Sequence, residues 1–418
     1  MRAALLTCSL CLLTAAQAVA QTPPVTLPPT TGLAPTLPPT GQPPALAEFT
    51  TQPPEALTGS GRPFSMNAPQ MWAGAEYMLM WYNPMDTPSL IRVVPAGMAG
   101  GAGAPALSMF PSKSKVYYDG VSGVRFNLGY NFDTFGIDAS GFVMGRQVVS
   151  STLASDGTVV SVARPYTPAG GAGATPTDTD LLFSLPGPLG YSGGVSASIS
   201  SQVYGFEINA RRAWFTFMSD STSVIGGLRY FDLQETLGVT GTALFPTGDS
   251  ITVQDSIRTH NSFYGTQIGV STVYGGNEPG FGFAFSTKMG IGGVNQRVDL
   301  VGTNTFVTGG VPDLQPGGLY ARGLNAGSFS RGKFAYMQDV DLKFTYNFTS
   351  AFQVSFGYSL FYLSSVARPG YQIPATVNDS GIRFVAAPTA SSSPEPVFAW
   401  NTHGFVIQGM TFGATFQY

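Results

Sequence analysis

From Met71 to Tyr418 the chain falls into ten stretches whose side chains alternate in character with period two. They lie at 72–81, 122–130, 135–148, 201–217, 223–231, 262–274, 281–295, 334–348, 352–364 and 405–418. All are rich in Phe, Tyr, Val and Gly, and no proline falls inside any of them, which reads as strand rather than helix. The gaps between them run 40, 4, 52, 5, 30, 6, 38, 3 and 40 residues, so long and short connections alternate without a miss. A soluble sandwich has no reason to keep its long loops at one end. Transmembrane barrels do, with short turns on one side and long loops on the other. An even strand count returns the chain to its starting side and lets the sheet close. The fold class expected is an all-β, closed antiparallel transmembrane barrel of about ten strands. Short strands hidden in 149–200 or 232–261 would raise the count to twelve.

The alternation also assigns faces. In 352–364, Phe352, Val354, Phe356, Tyr358, Leu360 and Tyr362 oppose Gln353, Ser355, Gly357 and Ser359. In 334–348, Val340, Leu342, Phe344, Tyr346 and Phe348 oppose Asp339, Asp341, Lys343, Thr345 and Asn347. A soluble barrel turned inside out would show the same pattern. Aromatics near the expected strand ends (Trp81, Tyr130, Trp214, Tyr274, Tyr418) fit lipid-facing girdles and favour the membrane reading. Only 10% of residues are charged, against about 25% in soluble domains. No Lys/Arg cluster offers itself to nucleic-acid phosphates. No stretch beyond the N-terminus is apolar and uncharged over the ~18 residues a membrane helix needs, so any spanning falls to strands.

The N-terminus reads as an export signal over residues 1–20: Arg2, an apolar run from Ala3 to about Ala15, then Ala18-Val19-Ala20 before Gln21. Cys8 and Cys11 both lie within it, which leaves the mature chain without thiols and excludes disulfides, zinc–thiolate sites and cysteine nucleophiles. Residues 21–70 hold 13 of the 32 prolines and three charges, Glu48, Glu55 and Arg62. Thr-Leu-Pro-Pro-Thr occurs at 26–30 and again at 36–40. This is an unpacked, semi-rigid spacer, and residues 71–418 are the barrel. The destination implied is the bacterial outer membrane. The expected partners are outer-membrane lipid and, through the aromatic lipid face of the last strand (Phe412, Phe416, Tyr418), the barrel-assembly machinery. The oligomeric state is left open.

The segment 336–418 resembles the beta-barrel porin type 7 family. Gly357-Tyr358-Ser359-Leu360-Phe361-Tyr362-Leu363-Ser364-Ser365-Val366-Ala367-Arg368-Pro369-Gly370 carries the resemblance, with Gln372 beyond it and the ending Gly404–Gly413. Earlier similarities are Trp72–Trp81 with Glu76-Tyr77, Tyr204–Asn209, Gly226–Tyr230 and Phe263–Gln267. Val366, Arg368, Pro369 and Gly370 form the most specific phrase. Ile373-Pro374 stands where the family often has an aspartate. The resemblance implies an outer-membrane barrel and says little about substrate.

The face opposite the apolar one is expected to line the lumen. It collects Glu76, Asp138, Glu207, Asp339 and Asp341 against Arg125, Arg211, Arg229, Lys288 and Lys343. A strongly selective pore carries rings of one sign, whereas five acids facing five bases suggest cross-lumen pairing or weak selectivity. Ten strands also enclose little space, since eight just fit side chains and open porins use 16–18. The leading expectation is a non-enzymatic, porin-like channel for small hydrophilic solutes, or a structural barrel with a narrow or plugged lumen. No catalytic, cofactor-binding or metal-ligating residue is assigned. Asp339 and Asp341 could hold a hard cation, although Lys343 or an arginine is the better partner. The alternatives are a rim hydrolase and a surface adhesin or scaffold built on the long loops. The hydrolase would use the two histidines, His260 and His403, with His260 close to Ser262, Asp232 and Asp255. Asp156-Gly157, Gly248-Asp249 and the glycine-rich runs 97–103 and 169–173 are turn chemistry. Arg368 is expected to end a strand and to anchor to lipopolysaccharide phosphate or a neighbouring loop.

Overall fold

Ten antiparallel strands pair with their chain neighbours, and the last pairs with the first. They are β1 (Gln70–Tyr82), β2 (Val121–Asn131), β3 (Gly136–Met144), β4 (Ser192–Ala213), β5 (Ser221–Leu244), β6 (Ser250–Gly275), β7 (Gly280–Thr308), β8 (Gly327–Thr349), β9 (Phe352–Ala367) and β10 (Thr402–Gln417). The seam runs from Trp72 opposite Gln417 to Tyr82 opposite Ile407. The structure, a computed structural model, describes residues 70–95, 106–132, 134–169, 179–188, 190–214, 221–275, 279–379, 382 and 397–418. The export signal, the spacer up to residue 69 and the glycine-rich run 97–103 lie outside these, as does all but Ala169 of the run 169–173.

Closure is the response of a polar backbone to hydrocarbon, which offers its amides no hydrogen bonds. The outer face carries the matching side chains: Phe126, Leu128, Leu228, Ile268, Phe281, Ile291, Phe334, Phe344 and Phe412 are all exposed. On β6, Tyr264 and Tyr274 bound this band. Ten residues at about 3.3 Å each, tilted by ~40°, give a height of about 25 Å, which is the hydrophobic thickness of outer-membrane barrels.

The barrel closes at ten strands, yet its wall is taller on one side than expected. Strands β4 to β7 run 22, 24, 26 and 29 residues, whereas β3 has nine. The segment 232–261, expected as a long loop, is strand on both sides of a tight turn over 245–249. There Gly248 takes φ 88° and Phe245 N–H donates to the Asp249 carbonyl at 2.9 Å. Alternation continues past the membrane in a different dress. Leu233, Leu237, Val239 and Ala243 stay buried on the inner face, while Gln234, Thr236, Thr240 and Thr242 replace apolar side chains outside. Water can face such a strand where lipid could not. The strand Gln147–Ser155 extends this wall by pairing with β4 beyond the end of β3, and Val311–Pro316 folds back on β7.

The described parts of the other long connections form a cap. Four short strands, Leu107–Phe110, Ile91–Pro95, Val160–Tyr166 and Thr179–Leu182, make a small sheet. Ile91, Val162 and Leu181 from it share one buried core with Val195, Leu237, Val253 and Ile257 of the tall wall. Two buried ion pairs fix the cap. Arg164 pairs with Asp255, whose carboxylate also accepts the amides of Leu319, Tyr320 and Ala321 at 2.8–3.0 Å. Burial pushes the Tyr320 hydroxyl up to about 12, so it stays neutral and donates to the Pro165 carbonyl at 3.0 Å. Arg368 is fully buried and pairs with Glu235 through two contacts of 2.8 Å, with a third bond to the Asn83 carbonyl at 3.0 Å. The motif arginine therefore anchors to the neighbouring wall. It has no surface left for a lipopolysaccharide phosphate.

Removing one partner of a buried pair costs about 3–5 kcal/mol. In Asp255→Ala the cap should open to trypsin after Arg322, while the barrel keeps its heat-modifiable mobility in gels. Wild-type resistance in that variant would show that the Arg164–Asp255 pair does not hold the cap.

Candidate functional site

Inside the barrel, the ten side chains expected to line the lumen meet in charged contacts. Many of their contacts join strands that are not neighbours in the sheet and therefore cross the interior. Arg125 of β2 reaches Asp341 of β8 at 3.1 Å and lies 3.5 Å from Glu76 of β1. Lys343 closes this group on Glu76, and Ser359 of β9 donates to Asp341. A second group joins Glu207 of β4 to Arg229 of β5 and Lys288 of β7. Asp339 of β8 bonds to the same Arg229 and Lys288. The third is Arg211 with Asp138 at 2.9 Å. Asn209 connects it to the second by donating to Asp138 at 3.0 Å and to Glu207 at 3.3 Å. Each acid has a basic partner, so Asp339 and Asp341 are held by cations of the protein. Among the described residues no cluster has the make-up of a metal site.

On the short-turn side the belt borders a cavity of about 130 Å³, lined by Trp72, Asn127, Ser286, Gln353 and Thr415 among others, with room for several waters. Gly129 faces Trp72 across the β1–β2 pair, and a Cβ there would lie 2.5 Å from the indole. The glycine is what lets that ring turn inward. Where the belt meets the next layer the space shrinks to about 20 Å³.

Towards the cap the interior turns apolar, and every strand contributes to it. Met78, Val121, Phe142, Val203, Phe231, Phe263, Val294, Met337, Phe361 and Phe405 represent β1 to β10 in order, and all but the partly buried Phe142 are almost wholly shielded from solvent. Phe142 of β3 stacks on Phe361 of β9 at 5.2 Å and packs on Phe231 at 6.2 Å, contacts that again cross the interior. Sequence reasoning missed this layer. Its signal is a change of character along one face, as in Ser355, Gly357, Ser359, then Phe361 and Leu363.

A second cluster lies on the outer wall. Asp232, Ser262 and His260 share the outward parity of the exposed Leu228 and Tyr264. Oδ2 of the buried Asp232 accepts from Tyr230 at 2.9 Å and Ser262 at 2.7 Å and contacts His260 Nε2 at 2.7 Å, while Gln234 donates to Oδ1 at 3.0 Å. Ser262 Oγ also lies 3.0 Å from His260 Nε2. Of the residues expected beside His260, Asp255 is absent from this cluster. It has inward parity and serves Arg164 instead, because an odd offset along a strand reverses the face. His403 is elsewhere too, its ring 4.1 Å from that of Tyr371.

Comparison with solved structures finds outer-membrane barrels. The outer membrane protease OmpT from Escherichia coli is similar at 8% identity and a TM-score of 0.36, over 84% of this chain and 97% of that one. A FadL homologue from Pseudomonas aeruginosa is similar at 10% identity and a TM-score of 0.21, over 84% and 90%. The monoaromatic hydrocarbon channel TodX, in a mutant form, gives 8% identity and a TM-score of 0.18, over 85% and 91%. No curated protein matches the chain. Residues 72–418 match the family described as "Putative beta barrel porin-7 (BBP7)", and with these ten strands closed into one barrel the chain belongs to that family of outer-membrane proteins.

Proposed function

We propose that the protein is a closed-lumen barrel of the outer membrane, a rigid wall with a folded cap rather than an open diffusion pore. The observation that carries this reading is the apolar layer above the charged belt. An open channel for hydrophilic solutes keeps a continuous polar path, and here buried apolar side chains from every strand interrupt it. The five-to-five pairing of the belt supports the same reading, because charges tied to one another across the lumen are not offered to a passing ion.

In the orientation proposed, residues 1–20 direct export, residues 21–70 reach into the periplasm, and the short turns face that side. The cap then stands outside the cell, where it could also meet other surfaces. Phe412, Phe416 and Tyr418 supply the terminal signal for the barrel-assembly machinery. Phe416 packs on Phe352 at 4.9 Å on the lipid face.

A second reading is hydrolysis at the outer wall, favoured by the 3.0 Å approach of Ser262 to His260 beside a buried carboxylate. It requires no lumen, so the two readings are compatible.

Purified protein in planar bilayers should show no stable conductance steps. Phe142→Ala with Phe361→Ala, which removes the stacked pair, should produce brief steps and cost about 3–5 kcal/mol per ring. Regular steps in the wild type would overturn the closed-lumen reading. Phe416→Ser with Tyr418→Ser should lower the amount of barrel recovered in the outer membrane several-fold. Unchanged recovery, measured by membrane fractionation, would remove the terminal-signal assignment.

A further inference from the structure

We infer that the Asp232–His260–Ser262 cluster hydrolyses acyl esters of membrane lipids, drawn from the bilayer side of the wall. This rests on the second reading above and names its substrate class. Reading across β5, β6, β7 and β8, the outer wall is laid out in rows fixed by strand register. Leu228, Thr266, Ile291 and Tyr336 form a row within the hydrophobic band. Tyr230, Tyr264, Gly293 and Phe334 form the next, the aromatic edge of the band. Directly above it come Asp232, Ser262, Asn295 and Gly332, then Gln234, His260, Arg297 and Ser330, then Thr236, Arg258, Asp299 and Ser328. The serine thus stands in the first polar row above the aromatic one. That is the height at which lipid chains end and their ester carbonyls begin.

Shape agrees with this placement. Gly293 leaves a gap between the exposed rings of Tyr264 and Phe334, and a Cβ there would meet no atom within 4 Å. The gap is one side chain wide and lies one row below that of Ser262, between Ile291 and Asn295 on β7. Above the serine, Arg297 and Arg258 are exposed at the level of a headgroup phosphate. Arg297 also holds Asp299 at 3.0 Å, which leaves Arg258 as the stronger attraction. A lipid laid along the wall would place its chain in the gap, its ester at Ser262 and its phosphate near the arginines.

The chemistry balances without a cofactor. Ser262 Oγ attacks the acyl carbonyl carbon, and its proton passes to Oδ2 of Asp232, to which the hydroxyl already donates at 2.7 Å. His260 Nε2, 2.7 Å from the same oxygen and 3.0 Å from Ser262 Oγ, holds the two in place. Asn295, opposite Ser262 in register and exposed, has an amide group at side-chain reach of the oxyanion. Collapse of the tetrahedral intermediate breaks the ester C–O bond, and the departing alkoxide takes the proton from Asp232. Water then repeats the sequence on the acyl-serine, giving a fatty acid and restoring the hydroxyl. The net reaction is ester plus water to acid plus alcohol.

The test uses the full chain in mixed micelles of detergent and diacyl phosphatidylethanolamine, with a fluorophosphonate probe and p-nitrophenyl butyrate beside it. The expected result is fluorophosphonate adduct on Ser262 by mass spectrometry and fatty-acid release. Release should fall about 10³-fold or more in Ser262→Ala and in Asp232→Asn. Gly293→Phe, which fills the gap, should lower the ratio of lipid to butyrate turnover about tenfold. Absence of adduct and of all ester turnover overturns the hydrolase reading itself. Adduct and butyrate turnover without fatty-acid release leaves that reading standing and overturns the lipid assignment. Fatty-acid release that persists in Ser262→Ala overturns the assignment to this cluster.

Discussion

A peptide amide in hydrocarbon has no solvent to bond to, and each one left unpaired costs several kcal/mol. Every other feature of this protein follows from answering that cost with neighbouring strands. Once the sheet must close, the residue parity of each strand is fixed, because successive side chains point to opposite faces. One set then meets lipid and the other is confined within a cylinder of ten strands, too narrow to be left empty. The interior has to be filled, and the only choice left to the sequence is with what.

Two solutions are stacked in this barrel. Near the short turns, charged side chains fill the space by pairing across it, and the arrangement works because no acid is left without a base. Truncating one member would strand a buried charge, which is far more costly than the pair is stabilising. Nearer the cap, aromatic and aliphatic side chains fill the same cross-section by contact alone. The Arg125 guanidinium lies 5.7 Å from the centre of the Phe361 ring, so the charged and apolar parts touch there. Above, the cap repeats the logic at smaller scale, with Arg164–Asp255 and Arg368–Glu235 each satisfied inside an apolar surround.

The parts of this structure legible in the sequence are those governed by period and by lipid. Strands such as 352–364 announce themselves because Phe352, Phe356 and Leu360 must be apolar while Gln353 and Ser359 need not be. The upper halves of β5 and β6 were not legible by that rule. Their outer face meets water, so Thr236, Thr240 and Thr242 carry no lipid signal and the stretch reads as loop. The inner apolar layer escaped for the opposite reason. Apolar residues were assigned to lipid wherever they alternated, and Phe361 and Leu363 sit on the polar side of their own strand. The partner of Arg368 could not be read at all, since 133 residues separate it from Glu235 and only the folded cap brings them together.

The same separation of faces explains why a polar cluster can occupy the outer wall without disturbing the interior. Asp232 and Phe231 are adjacent in sequence, yet one faces outward among Tyr230, Gln234, His260 and Ser262, and the other packs inward on Phe142. A strand in a flexible sheet would let such a cluster drift. Here the inward neighbour is locked in a filled cross-section, and the outward side chain inherits its fixed position. The packed interior then does more than fill space. It is the support that holds an outward-facing carboxylate, hydroxyl and imidazole within 3.0 Å of one another at the edge of the membrane.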